Sequence, residues 1–407
     1  MELYFPLILD GATGTQLQKL GYHSEKCTEE WVLEHPETIC QIHDRYIENG
    51  SQVVYAPTFG ANRVKLEENG IFNQVEDYNL RLATLAKENA GGRALVAGDM
   101  APTGKFLTPM GDMPFEEMVE IYTEQAAALE KAGVDLFAIE TMMTLPEARA
   151  AVLAVRSVSK KPICVTFTCD AAGKSLTGTD VTAALVVLQG MGIDAFGLNC
   201  SVGPEDMLRQ IKRLSDYAQI PLIAKPNAGM PETENGKTVY RCSPEEFTSC
   251  LKELGEAGVA LYGGCCGTTE AHIRALYDGL KAVRIAKPQP KYPNLLPLAT
   301  EKVTAFVPAD ILIRPEDILS CDESLTEALE EEADKASPVT AIRIKSEEEL
   351  ADFEDNQFAI DKPLCLVCED AGLLEEALRL YQGRAMYEGN LPEAELEKLS
   401  GKYGLVY

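Results

Sequence analysis

The sequence predicts an α/β protein: a closed (β/α)8 barrel over residues 1–287, followed by a small α/β C-terminal region. Three observations carry this expectation. Eight short apolar runs rich in β-branched residues fall before residue 270. Stretches of helical periodicity separate them, and nearly every run ends in a polar or glycine-rich tip. Strands alternating with helices imply a parallel sheet with crossovers. Eight such units in a stretch of this length fit a closed TIM barrel better than an open sheet.

The eight runs are Leu7–Asp10, Val53–Thr58, Ala94–Met100, Leu136–Thr141, Ile163–Cys169, Phe196–Cys200, Leu222–Asn227 and Val259–Cys265. Between the second and third, Leu80, Ala83, Leu85 and Ala86 recur at helical spacing; between the third and fourth, Val119, Tyr122, Ala126, Leu129 and Ala132 do the same. The tips read Asp10-Gly-Ala-Thr-Gly, Thr58-Phe-Gly-Ala-Asn, Asp99, Glu140-Thr, Thr168-Cys-Asp, Asn199-Cys, Asn227-Ala-Gly and Gly263-Gly-Cys-Cys-Gly. In such barrels the active site is built at the C-terminal ends of the strands. Polar residues that open the next helix account for one or two tips, but not for the cysteines.

Composition changes after residue 287. Residues 287–293, with three prolines in seven residues, open a linker expected over 288–299. Residues 300–407 form the small α/β region. Glu327–Lys335 reads as an acidic helix, Val339–Ile344 as a strand, Ser346–Glu354 as a helix, Leu364–Cys368 as a strand and Leu373–Tyr381 as a helix. Arg384–Tyr387 and Leu405–Tyr407 read as further short strands. The abrupt final strand, Tyr403-Gly-Leu-Val-Tyr, suggests a piece of a longer chain.

The 407 residues are 46% hydrophobic and 25% charged, a globular make-up. A net charge of −27 argues against nucleic acid and against an anionic membrane surface as partners. The N-terminus has neither the basic nor the long apolar stretch of a signal peptide. No apolar run of about 18 residues or more exists. A cytoplasmic location is therefore expected. Twelve cysteines there read as reduced thiols open to metal or catalytic roles.

Cys200, Cys265 and Cys266 stand at the ends of the sixth and eighth runs. Three thiolates with no fourth protein ligand nearby is the layout of a catalytic zinc rather than a structural one. Adjacent cysteines point to opposite faces of a regular strand. Both can reach one metal only where the backbone departs from that geometry, and Gly263, Gly264 and Gly267 offer the freedom.

Together, Asp10-Gly-Ala-Thr-Gly-Thr, Thr58-Phe-Gly-Ala-Asn-Arg, Glu140-Thr, Gly197-Leu-Asn-Cys, Lys225-Pro-Asn-Ala-Gly and Gly263-Gly-Cys-Cys-Gly-Thr resemble the homocysteine S-methyltransferases, including the N-terminal module of cobalamin-dependent methionine synthase. The resemblance covers residues 1–285. It implies a zinc-bearing barrel that methylates the sulfur of homocysteine to give methionine, with Glu140 binding the substrate ammonium. Asp10, Gly11 and Ala12 form a turn whose N–H groups can face a carboxylate; Asn227 is expected as a further substrate contact or as the organiser of its loop, the role an Asn before Ala-Gly more often has.

The methyl donor is left open by the sequence. The Asp-x-His-x-x-Gly signature of cobalamin modules does not occur, so methylcobalamin would have to arrive on a partner corrinoid protein. Betaine, S-methylmethionine and S-adenosylmethionine are the alternative donors. The tail weakly resembles a strand–helix–strand piece of a pterin-binding barrel, but residues near Val367, Cys368, Tyr387 and Glu388 replace the pterin-holding groups. No folate binding is expected there; docking, self-association or a lid role is. A homo-oligomer is compatible with the sequence. An alternative of another class, a zinc-binding or regulatory homologue without catalysis, is disfavoured by Glu140 and Asp10 beside the cysteines. His23, His35, His43 and His272 lack ligand-like spacing to the cysteines; Trp31 and Cys365-x-x-Cys368 read as packing residues.

Overall fold

The computed structural model describes residues 5–23, 26–234, 237–322 and 324–407. Eight parallel strands form one sheet: β1 (Leu7–Ile8), β2 (Val53–Tyr55), β3 (Leu95–Met100), β4 (Leu136–Met142), β5 (Ile163–Phe167), β6 (Ala195–Asn199), β7 (Leu222–Lys225) and β8 (Val259–Tyr262). Each coincides with one of the eight apolar runs. The spatial order is β1-β8-β7-β6-β5-β4-β3-β2. Closure between β1 and β2 is made by Gln52. Its N–H donates to the Ile8 carbonyl at 2.7 Å, and its Oε1 accepts from the Ile8 N–H at 2.9 Å. The result is a nearly closed (β/α)8 barrel.

The two-residue period of a strand decides what faces the lumen. Val53, Ala97, Leu136, Ala138, Cys164, Ala195, Ile223 and Ala260 pack into one buried cluster with Leu7 and Leu9. Two residues further along β3, β4, β6 and β7 stand Asp99, Glu140, Gly197 and Lys225, and Asn199 follows on β6. The lumen is thus apolar at its base and charged towards its C-terminal end. Small residues are needed on β6: a Cβ added at Gly197 would run into the carbonyl oxygen of Ile223 on β7.

The chain divides into two compact units. The first comprises residues up to Thr177, Asp194–Ser215 and Ile220–Pro288. The second comprises Gly178–Ile193, Asp216–Gln219 and Gln289–Tyr407. It therefore takes in the helix Val181–Gly190, which lies between β5 and β6 in sequence.

The second unit contains an antiparallel hairpin, β9 (Leu295–Ala299) with β10 (Thr304–Pro308). A four-stranded parallel sheet follows: β11 (Ile318–Ser320), β12 (Thr340–Arg343), β13 (Leu364–Val367) and β14 (Met386–Glu388), in that spatial order. Helices Leu325–Ala333, Glu347–Asp355 and Ala371–Leu380 make the crossovers. Leu298, Val307, Val339, Ala341, Cys365 and Met386 share its core. Tyr217 stacks on Phe306 with ring centroids 4.8 Å apart.

Two expectations for this region are corrected. Leu295–Ala299, inside the stretch 288–299 expected as linker, is a strand. Pro297 lacks the N–H of an interior strand residue, but in a two-stranded hairpin every strand is an edge and tolerates it. Leu405–Tyr407 is not a strand. A helix, Glu393–Tyr403, precedes it and stops at Gly404 with φ +75°, and Val406 makes one isolated bridge to Met386.

Candidate metal centre

Cys200 follows β6 directly, and Cys265 and Cys266 lie just past β8. Their three Sγ atoms lie within 4.8 Å of one another, with Cys200 and Cys266 sulfurs 4.0 Å apart. A tetrahedral zinc with Zn–S bonds of about 2.3 Å needs sulfurs separated by about 3.8 Å. The donor set therefore fits a thiophilic ion with one coordination position left over.

The backbone delivers these sulfurs by leaving strand geometry. Cys200 and Ser201 both have φ +60°, and the Cys200 N–H donates to the Lys225 carbonyl at 3.1 Å. The Cys265 N–H donates to the Pro226 carbonyl at 2.9 Å. The three glycines around the pair act differently from one another. Gly267 has φ +82° and sits against the Tyr240 ring, so it supplies the conformational freedom expected. Gly263 and Gly264 have no positive φ. They are needed for close approach, Gly263 to Leu9 and the Asp10 carbonyl, Gly264 to Thr268.

The sulfurs share their protons. Hydrogen bonds from Cys265 and Cys266 pull the Cys200 thiol far below its ordinary range, against the effect of burial. The same contact with Cys200 pushes Cys265 and Cys266 up. One proton leaves the trio readily and the others resist, so a bound cation is what favours three thiolates together. The Asn227 side chain favours the thiolate form of Cys200, and the Tyr240 side chain that of Cys266. The Asn199 amide lies 3.8 Å from the Cys265 sulfur.

A layer of buried charge lies in the lumen beside the thiols. Lys225 Nζ is 2.7 Å from Glu140 Oε2, 3.9 Å from Asp10 Oδ1 and 3.6 Å from the centroid of the Tyr55 ring. Asp10 Oδ2 accepts the Tyr55 N–H at 2.8 Å. Burial pushes the Asp10 carboxyl up to about 7, with Lys225 opposing. Burial, then Glu140, holds Asp99 well above the carboxylate range, and its Oδ1 has no hydrogen-bond partner among the described residues. Burial alone would lower the Lys225 ammonium; Glu140, Tyr55, Asp10 and Cys265 together outweigh it and hold Lys225 well above its ordinary range.

The residues anticipated from sequence are thus brought to one end of the barrel, with altered surroundings. Glu140 is already ion-paired. The Ala12 N–H is engaged by Thr268 Oγ1 at 3.0 Å, and its carbonyl accepts the Tyr46 hydroxyl at 2.7 Å. Gly11 is needed because a Cβ there would lie 2.8 Å from the Tyr46 ring. Asn227 faces a cysteine sulfur. His272 caps its own helix through Thr269 and bonds the Cys242 carbonyl at 3.0 Å. Trp31 stacks on His35 with centroids 4.5 Å apart. Sequence reasoning missed Lys225, Asp99, Thr141, Asn199 and Tyr240 as parts of the site. The first four stand inside or beside the strand-end tips, a usable signal; nothing marks Tyr240.

The homocysteine S-methyltransferase family profile matches residues 7–280. Methionine synthase of Mycobacterium leprae is 33% identical over 286 residues, 66% of this chain and 24% of that protein. Methionine synthase of Mycobacterium tuberculosis is 31% identical over 304 residues, 70% of this chain and 25% of that protein. The chain therefore spans about a quarter of the length of these relatives. The metallated form of the homocysteine methyltransferase MmuM from Escherichia coli superimposes with a TM-score of 0.59 at 25% identity, covering 68% of this chain and 96% of that one.

Proposed function

The chain belongs to the homocysteine S-methyltransferase family, and from that premise we propose that it transfers a methyl group to the thiol of homocysteine, giving methionine. The observation that carries the reading is the convergence of the Cys200, Cys265 and Cys266 sulfurs within 4.8 Å, at the same barrel end as Glu140 and Asp10. The three cysteines would hold zinc. When bound, zinc supplies Lewis acidity that favours the thiolate form of a substrate sulfur at neutral pH. The remaining work falls to the chain's own groups. Asn227 and Tyr240 favour the thiolate forms of Cys200 and Cys266. Glu140 and Asp10 offer carboxylate oxygens to the amino-acid ammonium, and Lys225 balances their charge.

The methyl group comes, in this reading, from a methylcorrinoid carried by a partner protein. Similarity to methionine synthases of about four times the matched length supports it. A small-molecule donor is the second reading, supported by the near-complete coverage of MmuM, whose chain is little more than the matched barrel. A donor panel separates them. Turnover with betaine, S-methylmethionine or S-adenosylmethionine, without any corrinoid, would overturn the first.

X-ray absorption on the zinc-loaded chain tests the site itself. Three sulfurs around zinc should become four on adding homocysteine. A Cys200→Ala protein that holds zinc as tightly as the parent would contradict the ligand set.

A further inference from the structure

We propose that Asn199 is a positioning residue that sets where Glu140 stands, by holding Thr141 in a backbone conformation that threonine avoids. The proposal rests on reading Glu140 as the anchor for the substrate ammonium.

The pairing of β4 with β5 shifts register between Ile139 and Met142. Ile139 pairs with Val165 and Met142 with Phe167, so β4 carries one extra residue there, a bulge made by Glu140 and Thr141. Bulges re-aim side chains, and one common type places glycine at a left-handed position. Here Thr141 holds φ +62°. A β-branched residue is strained there and persists only when its surroundings over-determine it.

Asn199 supplies that constraint from β6. Its Oδ1 accepts the Thr141 N–H at 3.0 Å and its Nδ2 donates to Thr141 Oγ1 at 2.7 Å. Only 1% of Asn199 is exposed, so the amide has no water to exchange partners with. The same Nδ2 lies 3.8 Å from the Cys265 sulfur, and Asn199 immediately precedes Cys200. One side chain therefore ties the bulge carrying the ammonium anchor to the strand end carrying a metal ligand. It fixes the distance between the two ends of a substrate that must span thiol and ammonium.

The test is calorimetric titration of the full, zinc-loaded chain with homocysteine and with 4-mercaptobutanoate, the same thiol acid without its amino group. The parent should prefer homocysteine. Asn199→Ala should lose about tenfold in homocysteine affinity, keep its affinity for 4-mercaptobutanoate and keep its zinc. Adding Thr141→Gly should restore homocysteine binding, since glycine takes φ +62° without a clamp. Thr141→Gly alone should keep the preference, which covers the case that Asn199→Ala does not fold. Equal loss for both thiols, loss of zinc, no recovery in the double variant, or loss of preference in Thr141→Gly would each overturn the proposal. A parent that ignores the amino group would instead overturn the reading of Glu140, and the inference with it.

Discussion

Lys225 and Glu140 form an ion pair inside the barrel, 2.7 Å apart, with 3% and 12% of their side chains exposed. Removing one partner of such a pair leaves a buried charge uncompensated, a larger effect than the pair's own net contribution. Lys225→Met and Glu140→Gln should each destabilise the protein by about 3 kcal/mol. The double variant should cost clearly less than the two added, measured by urea unfolding at neutral pH. Additive losses would mean that the two charges are not coupled.

His43 sits fully buried on the helix Pro36–Glu48, its Nε2–H donating to the Tyr55 carbonyl at 3.0 Å. Its Nδ1 has no partner among the described residues, so protonation would strand a charge. Burial lowers its pKa from 6.5 to about 4. The folded state then binds fewer protons than the unfolded one between those values, so stability falls as pH drops through the window. The contribution at stake is roughly 3 kcal/mol. His43→Gln can keep the bond to Tyr55 without titrating. Its stability relative to the parent should improve progressively from pH 7 to pH 4; a pH-independent difference would count against the buried neutral histidine.

Gly197 and Gly267 separate fold from site. Gly197→Ala drives a methyl into the Ile223 backbone of the neighbouring strand, which cannot rotate away. A loss of about 3 kcal/mol or more in unfolding free energy is expected. Gly267→Ala strains a loop residue at φ +82° and presses on Tyr240 beside Cys266. It should leave the barrel folded by circular dichroism yet release zinc faster to a chelator. If Gly267→Ala retains zinc like the parent, the positive φ is not needed to aim Cys266.

The strand–helix alternation was legible because parallel barrel strands are buried on both faces and read as short apolar runs. Leu136–Thr141 and Val259–Cys265 ended where the observed strands end, within a residue or three. The convergence of the three cysteines was legible because residues just past the strands of a barrel gather at one end of it. The hairpin of β9 and β10 was not, because its prolines carry the same signal as a linker. Nor was the helix Glu393–Tyr403, whose few apolar residues give a weak periodic pattern.

Local periodicity and residue chemistry were enough to place the barrel, its polar end and the three cysteines of the candidate metal centre. Only the tertiary structure decided how the polar groups pair. Lys225 meets Glu140 across 85 positions of chain, and Asn199 meets Thr141 across 58. Such pairings depend on the strand order and on a one-residue bulge in β4. A bulge shifts side chains by a single register step, which leaves no trace in a hydrophobic pattern of period two.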